Sequence, residues 1–262
     1  MRRLFSIGYV LAAALVSGCV SDASASFRYG VGGGGGAARV SETLTPTGSS
    51  PSSIADQAQL DAGMFTGWRV SDPNSCFASM TDDGATFSVS FDSCSGDQEI
   101  GNSNAWLTNP CIYRPPALAG DFDHSVKFDS AANMGKAETH FALASVNGDT
   151  TNESRGIFTR FGRWQTANGR NTTYYSLGSG TLNAHANDAV SWTTTRWMRQ
   201  DRTDSEITVA KKVADGDPWT DYDTTKLDAA GAVYFPALCF YTPHTSTETV
   251  RFYAYDLSGT ED

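Results

Sequence analysis

The groups in this chain with chemistry to offer are scattered carboxylates, four histidines and a set of aromatic and arginine residues. Glu138, Glu153, Glu206 and Glu248 stand alone in sequence and fall on different expected elements. They do not supply the closely spaced carboxyl pair that two-carboxylate hydrolysis of a glycosidic bond requires. Asp121 and Asp123 share one face of an expected strand, and Asp215 and Asp217 sit beside Trp219. With Asp129 they offer oxygens of the kind Ca²⁺ prefers, but no EF-hand spacing is present, so no metal ligand is assigned and calcium stays a possibility. His124, His140, His185 and His244 are single, without an H-x-x-x-H or H-E-x-x-H pattern. Gly178-Ser179-Gly180 reads as a turn and not as a nucleophile elbow. Recognition is better served by Trp106, Trp164, Tyr174, Tyr175, Trp192 and Trp219 with Arg163 and Arg199. Rings of this type cover the apolar faces of pyranoses, and guanidinium groups bond hydroxyls or carboxylates. The candidate ligand-binding set is Arg163, Trp164, Trp192, Arg199 and Trp219. Arg163-Trp164 and Trp192 lie in loop-like stretches, whereas Trp197 reads as core.

Composition narrows the partners. The formal net charge is −10, which argues against nucleic acid, because phosphate binding needs clustered Lys and Arg. Five cysteines are present. With Cys19 set aside, Cys76, Cys94, Cys111 and Cys239 make an even set without C-x-x-C spacing, which in an exported chain reads as disulfides. Three connectivities are possible. The expected one is Cys76–Cys94, flanking a hairpin, with Cys111–Cys239, tying an early strand to a late one.

The N-terminus carries an address. Arg2-Arg3 precede an apolar run from Leu4 to Val16, too short to span a bilayer as a helix. Leu15-Val16-Ser17-Gly18-Cys19 then resembles the lipobox of bacterial lipoproteins, which implies a signal peptide over 1–18 and lipid on Cys19. Several acyl chains anchor stably where one does not. Val20 after the cysteine leans toward the outer membrane over the inner. Cleavage at Ala23-Ser24-Ala25, releasing a soluble secreted protein, is the runner-up. Residues 19–58 are rich in Ser, Ala, Gly, Thr and Pro with an unbroken run from Gly32 to Gly36, and read as a flexible tether.

Residues 59–262 must position the candidate site, and they read as one all-β domain. Phe77–Met80, Asp82-Asp83-Gly84 and Thr86–Phe91 predict a hairpin, with Phe87, Val89 and Phe91 on one face. Further strands are expected at 122–128, 138–146, 156–161, 172–177, 197–202, 206–213, 232–241 and 249–255. No parallel α/β alternation occurs.

The run Ile112-Tyr113-Arg114, a short loop, then Gly120-Asp121-Phe122 opening an alternating strand resembles the concanavalin A-like lectin/glucanase superfamily, in particular its laminin-G-like bacterial modules. Similar motifs follow in order: Arg155–Phe161, Trp197-Met198-Arg199-Gln200-Asp201-Arg202, Asp215-Gly216-Asp217-Pro218-Trp219 and Val250–Asp256. The resemblance covers about Gly63 to Leu257. It implies a two-sheet antiparallel jelly-roll sandwich with one sheet curved into a concave face. Its glucan-hydrolysing members carry a Glu-x-Asp-x-(x)-Glu strand, which is missing here. Gln200 also stands where an apolar residue is usual. The expectation is therefore a membrane-anchored, lectin-like domain that binds glycan or an envelope partner without catalysis. A hydrolase or lyase with an unrecognised site, and a structural lipoprotein making protein contacts only, are the alternatives.

Overall fold

In the computed structural model the chain divides into Met1–Gly36 and Ala37–Asp262. The structure describes residues 38–49, 57–72, 74–92, 110–130, 139–147, 156–164, 167–176, 194–204, 206–226, 233–243 and 245–262. Cys19 and the signal segment lie outside these.

Two layers of antiparallel strands face each other. The first contains β1 (Arg39–Leu44), β3 (Phe77–Asp82), β4 (Phe87–Phe91), β6 (Leu118–Ser130), β10 (Arg196–Thr203), β11 (Glu206–Lys212), β12 (Thr220–Lys226) and β14 (Glu248–Glu261). Its order runs β12-β11-β10-β6-β14, and the far edge of β14 is shared by β4 and β1, with β3 outside β4. The second contains β2 (Arg69–Ser71), β5 (Cys111–Tyr113), β7 (His140–Asn147), β8 (Gly156–Trp164), β9 (Ala167–Ser176) and β13 (Tyr234–Tyr241), in the order β9-β8-β7-β13-β5-β2. The bridge between Tyr234 and Leu118 links the layers by backbone. A one-and-a-half-turn helix, α1 (Gln57–Ala62), precedes β2. This is the two-sheet antiparallel jelly-roll sandwich that the sequence predicts.

Period-two alternation builds the core. Phe87, Val89 and Phe91 are buried while Ser88 and Ser90 are not. Rings from the two layers meet at centroid distances of 4.9 to 6.2 Å, Phe128 with Phe161 and Phe252 with Phe141 and Phe240 edge to face, and Phe128 with Phe141 tilted. Along β14 the inward set changes from Val250 and Phe252 to Tyr255 and Leu257. A bulge between Phe252 and Ala254 absorbs the change of phase.

The folded part begins earlier than the sequence reading placed it. β1 lies within the segment read as tether, its residues alternating between exposed and half-buried as Val40 and Leu44 pack against the core. Beyond it, the Asp82 carboxylate accepts backbone N–H bonds from Thr47, Gly48, Met64 and Gly84 at 2.9 to 3.0 Å. Burial opposes ionisation there, yet the bonds from Thr47, Gly48 and Gly84 hold the carboxyl below its ordinary range. Gly48 (φ +78°) and Gly84 (φ +84°) approach so closely that a Cβ on Gly84 would meet the Gly48 Cα at 3.3 Å.

Cys111 and Cys239 are disulfide-bonded and are direct cross-strand partners on β5 and β13. Cys76 is disulfide-bonded as well; Cys94, its expected partner, lies outside the described residues.

Candidate functional site

Strand β10 separates two chemistries by alternation. Arg196, Met198, Gln200 and Arg202 turn inward and are buried, while Trp197, Arg199 and Asp201 occupy the outer face of the first layer. Trp197 is buried, as the sequence predicts, at 8% exposed, but on the outer face of the layer and apart from the core cluster between the layers. Register then sets its neighbours: Asp201 pairs with Asp123 on β6, Asp123 with Ser258 on β14, and Ser258 with Ser41 on β1.

Arg199 organises this row. Its Nε donates to Asp123 Oδ1 at 2.9 Å, and its Nη2 reaches Asp123 Oδ2 at 2.7 Å and Asp201 Oδ2 at 2.6 Å. Burial works against the guanidinium charge, but Asp123, Asp201 and Asp221 outweigh it and raise its pKa. Asp201 moves the other way to Asp82: burial raises its pKa, and repulsion from Asp123, Asp121 and Asp221 adds to this against the pull of Arg199. Above the row lies a groove of about 780 Å³. Arg39 and Ser41 of β1, Asp121 and Asp123 of β6, Asp201 of β10 and Thr260 of β14 are among the residues that line it.

An aromatic cluster adjoins the groove through Arg199. Trp219, half-buried, meets Trp197 edge to face at 6.3 Å. The Arg199 guanidinium lies 5.5 Å from the Trp219 ring centre and the Lys212 ammonium 4.6 Å from it, within cation–π range. Trp197 is fixed by its Nε1–H, which donates to Asp215 Oδ1 at 2.7 Å, while Lys127 donates to Asp215 Oδ2 at 2.7 Å. The hydrogen bond from Lys127, followed by that from Trp197, keeps the Asp215 carboxyl below its usual range. Asp217 caps the same turn by accepting from the Ala214 N–H at 2.8 Å.

Of the residues picked from sequence, Arg199 and Trp219 come together. Arg163 and Trp164, read as loop, belong to strand β8, because the pairing with β9 continues to Trp164 opposite Ala167. They sit in the other layer, so they do not join Arg199 and Trp219. Trp192 lies outside the described residues, as does Trp106. Trp197, Lys212, Asp201, Arg39 and Ser41 were missed. For Trp197 and Asp201 the signal was present, since Trp-Met-Arg-Gln-Asp-Arg alternates by two about a buried Met198. The acids considered for calcium already have protein donors: Asp121 accepts from the Asp204 N–H at 2.7 Å, and Asp129 from Arg251 Nε at 2.6 Å and the Tyr253 hydroxyl at 2.7 Å. Among the described residues no group of three or more His, Cys, Asp or Glu side chains could hold a metal ion.

A second polar cluster is sealed between the layers. His124 Nδ1 lies 2.7 Å from the Tyr255 hydroxyl, and its Nε2 lies 3.1 Å from both Gln200 Oε1 and Ser145 Oγ. Gln200 Nε2 donates to Leu143 O and Thr159 Oγ1 at 2.9 and 2.8 Å. That orientation leaves Oε1, an acceptor only, facing the imidazole. Nε2 therefore carries the proton, and Nδ1 accepts from Tyr255. All five side chains are fully buried. Ser145 beside His124 has no access to a substrate, and its hydroxyl is committed to Gln200 Oε1 at 2.5 Å.

No family model matches the chain, and no curated protein matches it. Among solved structures, a functionally unknown protein from Saccharomyces cerevisiae aligns with a TM-score of 0.55 at 9% identity, over 75% of this chain and 98% of that one. That likeness is one of fold. The carbohydrate recognition domain of Emp46p, potassium-bound, aligns with a TM-score of 0.49 at 12% identity, over 80% and 96% of the two chains. The VIP36 exoplasmic/lumenal domain, Ca²⁺/Man3GlcNAc-bound, gives 0.48 at 11% identity, over 84% and 89%.

Proposed function

We propose that the protein is a lectin-like domain of the bacterial envelope that binds glycan on the outer face of its first layer and does so without catalysis. The observation that carries this reading is the junction at Arg199 of a groove bearing Asp, Arg and hydroxyl side chains and a partly exposed tryptophan. At the centre of the groove the Arg199 charge is matched within the protein by Asp123 and Asp201. Such a surface offers oriented acceptors and donors for hydroxyls without a net charge to demand an ionic partner. Trp219 supplies the flat apolar face on which a sugar ring rests. Lipid on Cys19, with the glycine-rich segment behind it, would hold the domain at the outer membrane; an intact mass of the mature protein carrying diacylglycerol and acyl groups is the check.

The test is a panel of neutral oligosaccharides titrated at millimolar concentration. Wild type is expected to bind at least one saturably, and Trp219→Ala to bind it at least tenfold more weakly, about 1.4 kcal/mol, with an unchanged thermal transition. No binding by a folded wild type would overturn the reading.

One observation favours hydrolysis as a second reading: Asp123 and Asp201 face each other across adjacent strands, and burial raises the Asp201 pKa. Turnover of a polysaccharide by wild type, abolished in Asp201→Asn, would establish it.

A further inference from the structure

The groove has a wall from an unexpected source. Arg39, Val40 and Ser41 line it, and they belong to β1, which follows the Gly32–Gly36 run and which the sequence places in the tether. We propose that β1 is a detachable wall of the glycan site, and that ligand is held only while this strand is docked on β14. The inference rests on the glycan-binding reading and adds to it the part of the site that Arg39 and Ser41 provide.

Several observations bear on how β1 is held. It has one pairing partner among the described residues, β14, with Arg39 opposite Thr260 and Leu44 opposite Tyr255. Its outward residues Arg39, Ser41 and Thr43 are exposed, and Val40, Glu42 and Leu44 only half-buried. It therefore buries far less than the strands inside the layer, and short edge segments of that kind open locally before the rest of a domain does. Its two ends are secured unequally. Just past Leu44, the Thr47 and Gly48 N–H groups are fixed on the buried Asp82. In mid-strand, Glu42 Oε1 accepts from Arg114 Nη2 at 2.7 Å, and Arg114 is itself buried and shared with Glu261. At the Arg39 end the hold is the ladder itself and the Glu261 N–H on Ala38 O at 2.8 Å. The end that faces the ligand is thus the end that frays. Glu42 with Arg114 is the clamp between the fraying half and the fixed half.

The linkage follows directly. A ligand that touches Arg39 and Ser41 binds the docked state and not the open one, so the apparent dissociation constant is the intrinsic one divided by the docked fraction. Binding and docking then reinforce each other reciprocally. Arg39 makes no ion pair among the described residues, which leaves its guanidinium to donate to hydroxyls over the groove.

The experiment uses the full mature chain and whichever of cellohexaose, laminarihexaose or mannohexaose wild type binds. Glu42→Lys with Leu44→Asp sets like charge against Arg114 and puts a carboxylate on the core side, while leaving every groove-lining residue in place. Hydrogen exchange at the amides of residues 40 and 42, which the register turns toward β14, is expected to reach the rate of an open strand, with exchange in β6 and β10 unchanged. Affinity for the hexasaccharide is expected to fall at least tenfold. Adding Thr43→Cys and Asp256→Cys, which are direct cross-strand partners, should close the strand again when oxidised and restore affinity, and lose it on selective reduction of that bridge. Unaltered affinity in the variant whose β1 amides exchange freely overturns the proposal and leaves the glycan-binding reading standing. Lost affinity that the closed bridge fails to restore overturns it too. A wild type that binds none of the three removes both.

Discussion

His124 shows how one buried side chain sets the solution behaviour of the whole domain. Burial lowers its pKa from 6.5 to about 4, and neither the bond to Gln200 nor the nearby Asp123 charge offsets that. The folded state therefore resists the proton that the unfolded chain accepts near pH 6.5. Stability is complete above that pH, declines as pH falls from 6.5 toward 4, and is insensitive to this group below. The loss is about 3 kcal/mol, from 1.36 kcal/mol per unit. Urea unfolding at pH 7, 5.5 and 4.5 is expected to show the decline, and His124→Gln to flatten it while lowering stability at pH 7. Carboxylates such as Asp82 lose their contribution only below pH 3.8, so the two effects separate. A wild-type stability that stays level between pH 6.5 and 4.5 would contradict the assignment. Gln200, a polar residue turned into the core, is explained by the same cluster: its amide fixes the imidazole tautomer and bonds strands β7 and β8 to β10.

At the level of elements, the pairing of β5 with β13 is short and depends on its crosslink. β5 is three residues long, joined to β13 through Cys111–Cys239 and flanked by the Phe240 N–H on Pro110 O and the Arg114 N–H on Pro236 O. The bond closes a loop with a sequence separation of 128, for which the chain-entropy account gives about 5 kcal/mol. Cys111→Ser with Cys239→Ser should lower the unfolding free energy by an amount approaching that; a loss under 1 kcal/mol would show the unfolded chain to be restrained by other means. Strands were legible in sequence where apolar and polar residues alternate cleanly, as in Phe87–Phe91 and Glu206–Lys212. β1 was not, because Arg-Val-Ser-Glu-Thr-Leu carries weak alternation amid tether-like composition. β14 was foreseen to 255 and runs to Glu261, since its last residues are edge-like Ser, Gly and Thr whose place is fixed by β6 and β1. The bulge after Phe252 hides the phase of that strand from any fixed-period reading.

For the molecule as a whole, the sandwich could be read from sequence and the candidate site could not. Trp197 illustrates the difference: alternation about the buried Met198 turns it to the outer face, but only the pairing of β10 with β6 and β11 sets it beside Lys127, Lys212 and Trp219. The meeting of Arg199, Asp123 and Ser41 likewise requires the order β10-β6-β14-β1, which no local spacing encodes. That order has another consequence. Arg39 pairs with Thr260, and the Glu261 N–H bonds Ala38 O, so the first and last strands leave the domain side by side. A circularly permuted chain, with Ala38 and Asp262 joined by a short glycine-serine bridge and new ends opened between residues 101 and 102, should keep one cooperative melting transition. The same adjacency makes the domain a natural insert: a host loop could receive it through two neighbouring attachment points.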